Sequence, residues 1–196
     1  FSELQDKLKE YLMEKGEVSL DGFILPGHVS IVLGEDSYAY LVDDYNISGV
    51  IGGFEPAEVL STISKLIQLA YDGKPAILND HPMIVTKEGN VVAQQLMAKY
   101  FMTCDEAWRG IGVIPKSGLD VKPEYEKYNA KLKFNVETEE PRKTKCRCGE
   151  IIVGKISPEE CPLFGKACTP RKPIGPCMVS TEGSCAASYQ FMRGVN

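Results

Sequence analysis

The stretch that decides the fold runs from Gly49 to Gly73 and reads GVIGGFEPAEVLSTISKLIQLAYDG. Its first residues are small and apolar and end at a double glycine, which is typical of a short buried strand that runs into a loop. Pro56 fits the first turn of a helix, and Gly73 fits its C-terminal cap. Four apolar residues recur at helical spacing and predict one face turned toward a core: Leu60, Ile63, Ile67 and Ala70.

The same alternation of helix and strand continues upstream. Ser2 to Lys15 carries apolar residues at helical spacing, and Val18 to Leu25 is a short apolar run that ends in Pro26-Gly27. The first pattern predicts a helix, and the second predicts a buried strand that leads into a loop. Tyr38 to Tyr45 fits a further short helix.

Downstream of Gly73 the alternation goes on. Pro75 to Leu78 fits a strand, Val85 to Phe101 is mostly helical, and Trp108 to Ile114 has a strand pattern that leads into Pro115. Five residues of the helix are expected to face inward: Val91, Val92, Leu96, Met97 and Tyr100. We therefore predict an α/β domain over residues 1–125, with helices layered on a mainly parallel sheet.

The composition changes over residues 126–145. Tyr125 to Phe134 is polar and predicted to be helical, and Glu137 to Lys143 forms a charged link that is typical of a domain boundary. Residues 146–196 are rich in Cys, Gly and Pro and show little periodicity. Such a segment buries little apolar surface, so we expect a small irregular domain that a bound centre holds together.

Charge and hydropathy exclude several classes of protein. The net charge of -5 argues against nucleic acid as the main partner. No apolar run approaches the roughly 20 residues that cross a bilayer, and the first helix is too charged for a signal core. We therefore expect a cytoplasmic protein without a membrane partner, in which reduced thiols are the rule. The chain begins at Phe1 rather than at a methionine, as a fragment would.

Six of the seven cysteines lie in the tail, between Cys146 and Cys185. Structural zinc favours paired Cys-x2-4-Cys knuckles, and the short Cys146-x-Cys148 with its long following gaps makes zinc the second choice. A four-iron cluster accepts four thiolates at irregular spacing and leaves two thiols over. One thiol of the Cys-x-Cys can then bind the cluster while its neighbour closes a disulfide with a thiol such as Cys177. Nearby cations are expected to favour thiolates: Arg142, Lys143, Lys145, Arg147 and Arg171.

Outside the tail, His28 follows a predicted strand at the place where α/β domains put ligand-binding loops. It either makes hydrogen bonds in that loop or works in a cleft. Glu55 at the next strand–helix junction is either a helix-terminal charge or a second cleft residue. Glu182, between two tail cysteines, is either a turn residue or a proton relay.

Three other features indicate no site. His81 precedes a proline in a predicted turn and is interpreted as structural, and Cys104 is expected to pack as a small buried apolar residue. Gly52-Gly53 and Gly110-x-Gly112 lack the spacing of a dinucleotide fingerprint.

Five stretches carry a more specific signal: 147–152 (RCGEII), 160–170 (ECPLFGKACTP), 175–187 (GPCMVSTEGSCAA), 21–30 (DGFILPGHVS) and 53–56 (GFEP). Together they resemble the C-terminal half of the HypD family of [NiFe]-hydrogenase maturation proteins, and the likeness covers essentially the whole chain. The resemblance implies a scaffold that builds an iron unit with two cyanides and one carbon monoxide, with the partners HypC and HypE. It also implies a 4Fe–4S cluster and a redox thiol arrangement similar to ferredoxin–thioredoxin reductase.

Carried onto this sequence, the resemblance implies that Cys148 and Cys177 are the redox pair. It implies that four other cysteines ligate the cluster: Cys146, Cys161, Cys168 and Cys185. Cys146 and Cys148 both fit the ligand position sterically. The family motif also favours a cleft role for His28, which would donate a proton or hydrogen bond during ligand transfer.

The sequence departs from the family in one respect. The family's N-terminal motifs, Cys-Gly-His-Glu-His and Cys-Pro-x-Cys, do not occur here. The main ligand of the nascent Fe(CN)2CO iron is therefore expected in an absent half, and this chain alone should not complete the assembly. Two other functions stay open, a zinc-stabilised interaction module and a thiol–disulfide oxidoreductase. The second lacks the Cys-x-x-Cys that such enzymes use.

Overall fold

A computed structural model describes residues 20–108, 111–134 and 144–191, together with the backbone of residues 13–14 and 17–18. These residues divide into two units. The sheet unit contains the described residues up to 102 and residues 120–125, and the thiol unit contains the described residues of 103–119 and 126–191.

The sheet unit is built on three parallel strands, β3 Gly22–Pro26, β4 Ser48–Gly52 and β5 Ile77–Asn79, with β4 in the centre. All five residues of β4 are buried, which explains why this strand is a run of small and β-branched residues. Two short strands, β1 Met13–Glu14 and β2 Glu17–Val18, pair antiparallel before it. The predicted α/β class with a parallel sheet is confirmed in this form.

The sheet unit also contains five helical segments: α1 Gly27–Leu33, a 3-10 helix Glu35–Tyr38, α2 Ala39–Asp43, α3 Pro56–Asp72 and α4 Val91–Tyr100. The predicted start and end of α3 are confirmed. Pro56 occupies the first turn, and Gly73 closes the helix in the left-handed conformation, with φ +60°. The predicted loop after β3 is wrong, because α1 begins at Gly27 directly after the strand.

The predicted inward face of α3 is wrong. Leu60 is 67% exposed and Ile67 is 64% exposed, whereas Thr62 is fully buried. The reason is the close approach of α3 to β4. A Cβ atom placed on Gly52 would lie 2.1 Å from the Thr62 hydroxyl oxygen, so a small residue has to pack at this contact. Periodicity locates an apolar stripe but does not report which face approaches the sheet closely.

The prediction for α4 is also wrong in its start and in its orientation. The helix begins at Val91 rather than Val85, and each of the five residues expected to face inward is exposed. Val85, in the turn before the helix, is 2% exposed and packs in the sheet core with four other residues: Leu25, Tyr38, Leu41 and Ile51.

The predicted strand from Trp108 to Ile114 is wrong, since it crosses from one strand to the next. β6 Phe101–Trp108 and β7 Gly112–Val121 pair in a two-stranded sheet, and Pro115 lies inside β7. Cys104 on β6 is half-buried rather than a core residue. The predicted helix at 125–134 is confirmed in part, as a 3-10 helix Pro123–Tyr128 followed by α5 Ala130–Lys133.

Within residues 144–191 the helices are short: α6 Cys148–Ile152, a 3-10 helix Pro158–Glu160, α7 Pro176–Val179 and α8 Ser184–Phe191. The charged link at 137–143 and most of the first helix lie outside the described residues, although Met13–Glu14 is strand rather than helix. The domain boundaries at 125 and 145 stay predictions. No helix in the described ranges is long and apolar enough to cross a membrane.

Candidate metal centre and sheet-edge cleft

The six tail cysteines lie together in the core of the thiol unit. Five of them are buried, and Cys146 is half-buried and packs against the others. Ile151, Met178 and Ala186 are buried with them, and five partly buried residues pack against the cluster: Ile156, Leu163, Phe164, Ile174 and Tyr189. Thiols therefore make up most of the buried residues of this core, and sulfur is the donor that soft metal ions prefer.

Local sequence explains how several of these thiols are positioned. Cys148 is the first residue of α6, and Cys161 follows a 3-10 helix that Pro158 and the Ser157–Glu160 capping box start. The sulfur of Cys168 accepts a hydrogen bond from the Ile174 N–H at 3.3 Å. A backbone donor aimed at sulfur also stabilises a thiolate ligand.

Two helix starts bring the last two thiols together. Cys177 lies on α7 and Cys185 on α8, and their sulfur atoms are 3.5 Å apart. Gly183 makes this approach possible, because a Cβ atom there would lie 2.3 Å from the Cys177 carbonyl oxygen. Gly175 has a similar role, since its Cβ would lie 2.4 Å from the Cys146 sulfur. Gly175 thus leaves space for the Cys146 thiol, and Gly183 leaves space for the backbone of Cys177.

Burial keeps the thiols of Cys146 and Cys185 in their neutral form. It raises the pKa of Cys146 to about 11, and burial together with the Cys177 thiol raises the pKa of Cys185 as well. The predicted preference for thiolates beside nearby cations is not met at Cys146 and Cys185, where burial raises the pKa of the thiol. Arg147 pairs with a carboxylate. Its guanidinium donates to the Glu150 carboxylate at 2.6 and 2.8 Å, and this hydrogen bond lowers the pKa of Glu150 instead. A metal centre would therefore have to displace protons from Cys146 and Cys185.

The donor set fits a thiolate-bound centre. Six soft donors share one enclosed core, one backbone N–H points at a sulfur, and glycines keep the adjacent space open. In the described ranges, no group of three or more His, Cys, Asp or Glu side chains has the arrangement that holds a single metal ion. Which four of the six cysteines would ligate a cluster stays a prediction.

His28 lies at the sheet's C-terminal edge, in the first turn of α1. It is exposed, and its ring lies 5.2 Å from the ring of Phe54, which follows β4. A cleft of about 130 Å³ opens beside it, lined by Gly27, Gly53, His81 and three aliphatic side chains. His28 thus borders a concave site rather than only a loop, although its predicted cleft chemistry stays a prediction.

The structure places the other two candidate residues as follows. Glu55 is exposed immediately before α3, and its N–H donates to the Glu58 carboxylate at 3.0 Å. Glu182 is exposed in the turn between α7 and α8, where its N–H donates to the Ser180 hydroxyl at 3.2 Å. The cleft role of Glu55 and the proton-relay role of Glu182 stay predictions.

Two residues that local sequence patterns did not indicate lie beside this cleft, His81 and Glu58. His81 was interpreted as structural, but its imidazole lines the same cleft as His28, and its Nε2 lies 3.5 Å from a Glu58 carboxylate oxygen. The position of His81 two residues beyond β5 matches that of His28 two residues beyond β3. This shared position relative to the strand ends is the signal that would have identified it.

Comparison with known proteins identifies the family. The family model described as HypD, Hydrogenase formation hypA family, matches residues 3–192. A hydrogenase maturation factor HypD of Escherichia coli K12 is 38% identical over 187 residues, covering 93% of this chain and 49% of the relative. A putative hydrogenase expression/formation protein of Methanocaldococcus jannaschii is 37% identical over 185 residues, covering 94% and 51%. The chain spans about half the length of these relatives, and over nearly its whole length it belongs to the HypD family of hydrogenase maturation factors.

Proposed function

We propose that this chain is the cluster-bearing part of a scaffold that assembles the iron unit of [NiFe]-hydrogenases. The cargo is an iron carrying two cyanides and one carbon monoxide, and the partners are HypC and HypE. The observation that carries the proposal is the convergence of all six tail cysteines in one core. Family membership supports the maturation role.

Four cysteines would hold a 4Fe–4S cluster: Cys146, Cys161, Cys168 and Cys185. When bound, such a cluster supplies or accepts single electrons. Three of these thiols are buried and Cys146 is half-buried, which supports a cluster in this core, because a buried site excludes water from a cluster and tunes its potential. Since Cys146 and Cys185 are neutral in the free chain, loading would release protons and become weaker as the pH falls.

Cys148 and Cys177 would form the redox pair. On oxidation the two thiols lose two protons and two electrons as the sulfur–sulfur bond forms, and the reverse step restores both thiols. Both residues are buried in the same thiol core, which supports this role. The Cys177 sulfur lies 3.5 Å from that of Cys185, so the redox thiol would lie directly beside a cluster ligand.

Glu182, between two tail cysteines, would act as a proton relay, whereas His28 and Glu55 would act at the sheet-edge cleft, where His28 would donate a proton or a hydrogen bond during ligand transfer. His28 is supported by its place beside a cleft at the end of the sheet, where open α/β sheets bind ligands. The two glutamates are supported by their exposure, which lets them exchange protons with water. Because the proposed cycle needs reduced thiols, it places the work in a reducing compartment such as the cytoplasm.

The chain spans about half of its relatives, so the main ligand of the nascent iron is expected in the part that it does not match. The isolated chain should therefore bind the cluster without completing the iron unit.

Anaerobic purification tests this proposal, with iron, sulfide and zinc quantified on one sample together with a visible spectrum. We expect about four irons and four sulfides per chain and a broad band near ~400 nm. Zinc without sulfide would contradict the electron-transfer role and favour a zinc-stabilised interaction module instead.

Two substitutions then separate the ligands from the redox pair. Cys148→Ser should keep iron and sulfide and abolish the disulfide, whereas Cys161→Ser should lose both iron and sulfide. If Cys148→Ser loses the iron and Cys146→Ser keeps it, Cys146 and Cys148 exchange roles.

A further inference from the structure

The thiol unit carries a concentration of positive charge on one loop. Residues 162–173 (PLFGKACTPRKP), here called the basic loop, contain Lys166, Arg171 and Lys172 and no Asp or Glu. All three cations are exposed, and within the described residues none of them forms an ion pair with a carboxylate. Arg147 of the same unit, by contrast, pairs with Glu150. The basic loop thus presents three positive charges to solvent, in a chain whose net charge is -5.

Backbone hydrogen bonds hold the basic loop in one shape. Cys168 donates its N–H to the Leu163 carbonyl at 2.9 Å, and its own carbonyl accepts the Gly165 N–H at 3.0 Å. Thr169 and Lys172 exchange two backbone hydrogen bonds, at 3.2 and 2.9 Å. A proline on each side of the Arg-Lys pair restricts the backbone further. Because the cations project from an ordered backbone, a partner would not have to order the loop in order to bind it.

The basic loop also covers a thiol that the proposed function assigns to the cluster. Cys168 lies between Lys166 and Arg171 in the sequence, yet only 5% of it is exposed. Its sulfur points inward and accepts the Ile174 N–H at 3.3 Å. A partner seated on the loop would therefore be separated from a cluster ligand by the thickness of the loop alone, while the ligand stays shielded from water.

Small apolar side chains lie among the cations. Four of them are exposed on the same loop: Pro162, Ala167, Pro170 and Pro173. Encounters between redox proteins are brief and bury less than about 1,200 Å² in total, and charge complementarity mainly raises their rate of association. A small apolar surface with a charged rim therefore suits a transient partner better than a permanent one.

The proposed redox cycle needs an outside source of electrons. Opening a disulfide between Cys148 and Cys177 takes up two electrons and two protons, and a 4Fe–4S cluster passes electrons one at a time. The partner is therefore expected to be a one-electron carrier. The positive charge of the basic loop attracts an acidic carrier and repels a basic one.

We propose that the basic loop docks a small, acidic one-electron carrier protein, which delivers electrons to the cluster behind Cys168. In each encounter one electron leaves the reduced carrier and enters the cluster, and no covalent bond forms or breaks. Two encounters, together with two protons from solvent, convert the disulfide between Cys148 and Cys177 into two thiols. The inference rests on the proposed function for the cluster that receives the electrons.

The test uses the full chain loaded with iron and sulfide. Reduced flavodoxin serves as the acidic one-electron carrier, and reduced methyl viologen serves as a small cationic reductant. Anaerobic stopped-flow absorbance follows the oxidation of each donor, and biolayer interferometry measures flavodoxin binding. We expect flavodoxin to bind, and its rate constant to fall about tenfold or more from low to high salt, because salt screens the attraction. Absent binding, or a rate constant that does not depend on salt, would overturn the proposal.

Charge reversal tests the role of the basic loop. Arg171→Glu and Lys172→Glu should each lower the flavodoxin rate constant at low salt by about fivefold or more, and neither should slow the reaction with viologen. Lys74→Glu is the control, because Lys74 is exposed in the sheet unit and its reversal changes the net charge by the same amount. It should leave both rate constants within about twofold. Equal flavodoxin rates in the loop variants and the control, or a parallel fall with both reductants, would overturn the proposal.

Iron and sulfide, measured on the same sample, separate this inference from the proposed function. Full iron and sulfide and reduction by viologen, without flavodoxin binding, would overturn the docking inference alone. Flavodoxin binding that Arg171→Glu abolishes, in a chain without iron and sulfide, would support the docking surface and overturn the cluster role. Tighter binding of a short DNA duplex than of flavodoxin would identify a nucleic-acid surface and overturn the proposal.

Discussion

The two units bury different chemistry. The core of the sheet unit is aliphatic, with Val50 and Ile51 fully buried on the central strand, whereas the core of the thiol unit consists mainly of cysteines. Aliphatic burial stabilises a fold by itself, at about 25 cal/mol per Å². A small core of thiols contributes less apolar area, so its stability depends more on what the thiols bind.

The candidate functional residues also lie in different places in the two units. In the sheet unit the candidate residues His28 and His81 line a cleft at the ends of the strands, outside the core. In the thiol unit the candidate residues are the core itself. Substitutions should therefore affect function and stability separately in the first unit and together in the second.

The largest expected effect is that of removing iron and sulfide. Hydrogen exchange on the loaded and the stripped chain should show protection of α7 and α8 falling by about a hundredfold or more, the factor that a ligand at a hundred times its dissociation constant contributes. Strand β4 should keep its protection, because its neighbours are aliphatic. Equal protection of α7 and α8 in the loaded and the stripped chain would contradict the idea that the stability of the thiol unit depends on its bound centre.

A smaller effect is expected from Gly175→Ala. The new Cβ would lie 2.4 Å from the Cys146 sulfur, so the thiol has to move and iron per chain should fall by about half or more. Gly154→Ala is the matched control in the same tail, since its φ is +75° and the space around it is open. It should cost about 1–2 kcal/mol of stability and leave the iron content unchanged. Full iron content in Gly175→Ala would contradict the close packing of Cys146.

The smallest effect concerns pH. The Ser188 hydroxyl donates to Glu159, and this hydrogen bond lowers the pKa of that carboxyl from 4.5. Because the folded pKa is lowered, this stabilisation is present above about pH 4.5 and is lost as the pH falls through the folded pKa. The difference in unfolding free energy between the natural chain and Glu159→Gln should thus narrow on acidification, as urea unfolding would show.

Much of the sheet unit was predictable because its signals are local. The strand at Gly49–Ile51 and the helix that begins at Pro56 follow from small residues, a proline and a glycine at the positions that these elements require. The facing of α3 was not predictable from periodicity, since the small Thr62 rather than Leu60 packs at the close approach to Gly52. Packing distance between elements is a tertiary property.

The candidate sites, like the fold, combine features that local sequence determines with features that only tertiary packing determines. The sequence by itself determined the family, the α/β class and the concentration of six thiols in one tail, because these depend on residue types and their order. Only the tertiary structure decided that all six thiols share one core and that His81 and Glu58 join His28 at the ends of the strands. Residues distant in sequence meet only when the chain packs, and no local spacing encodes which of them will face one another.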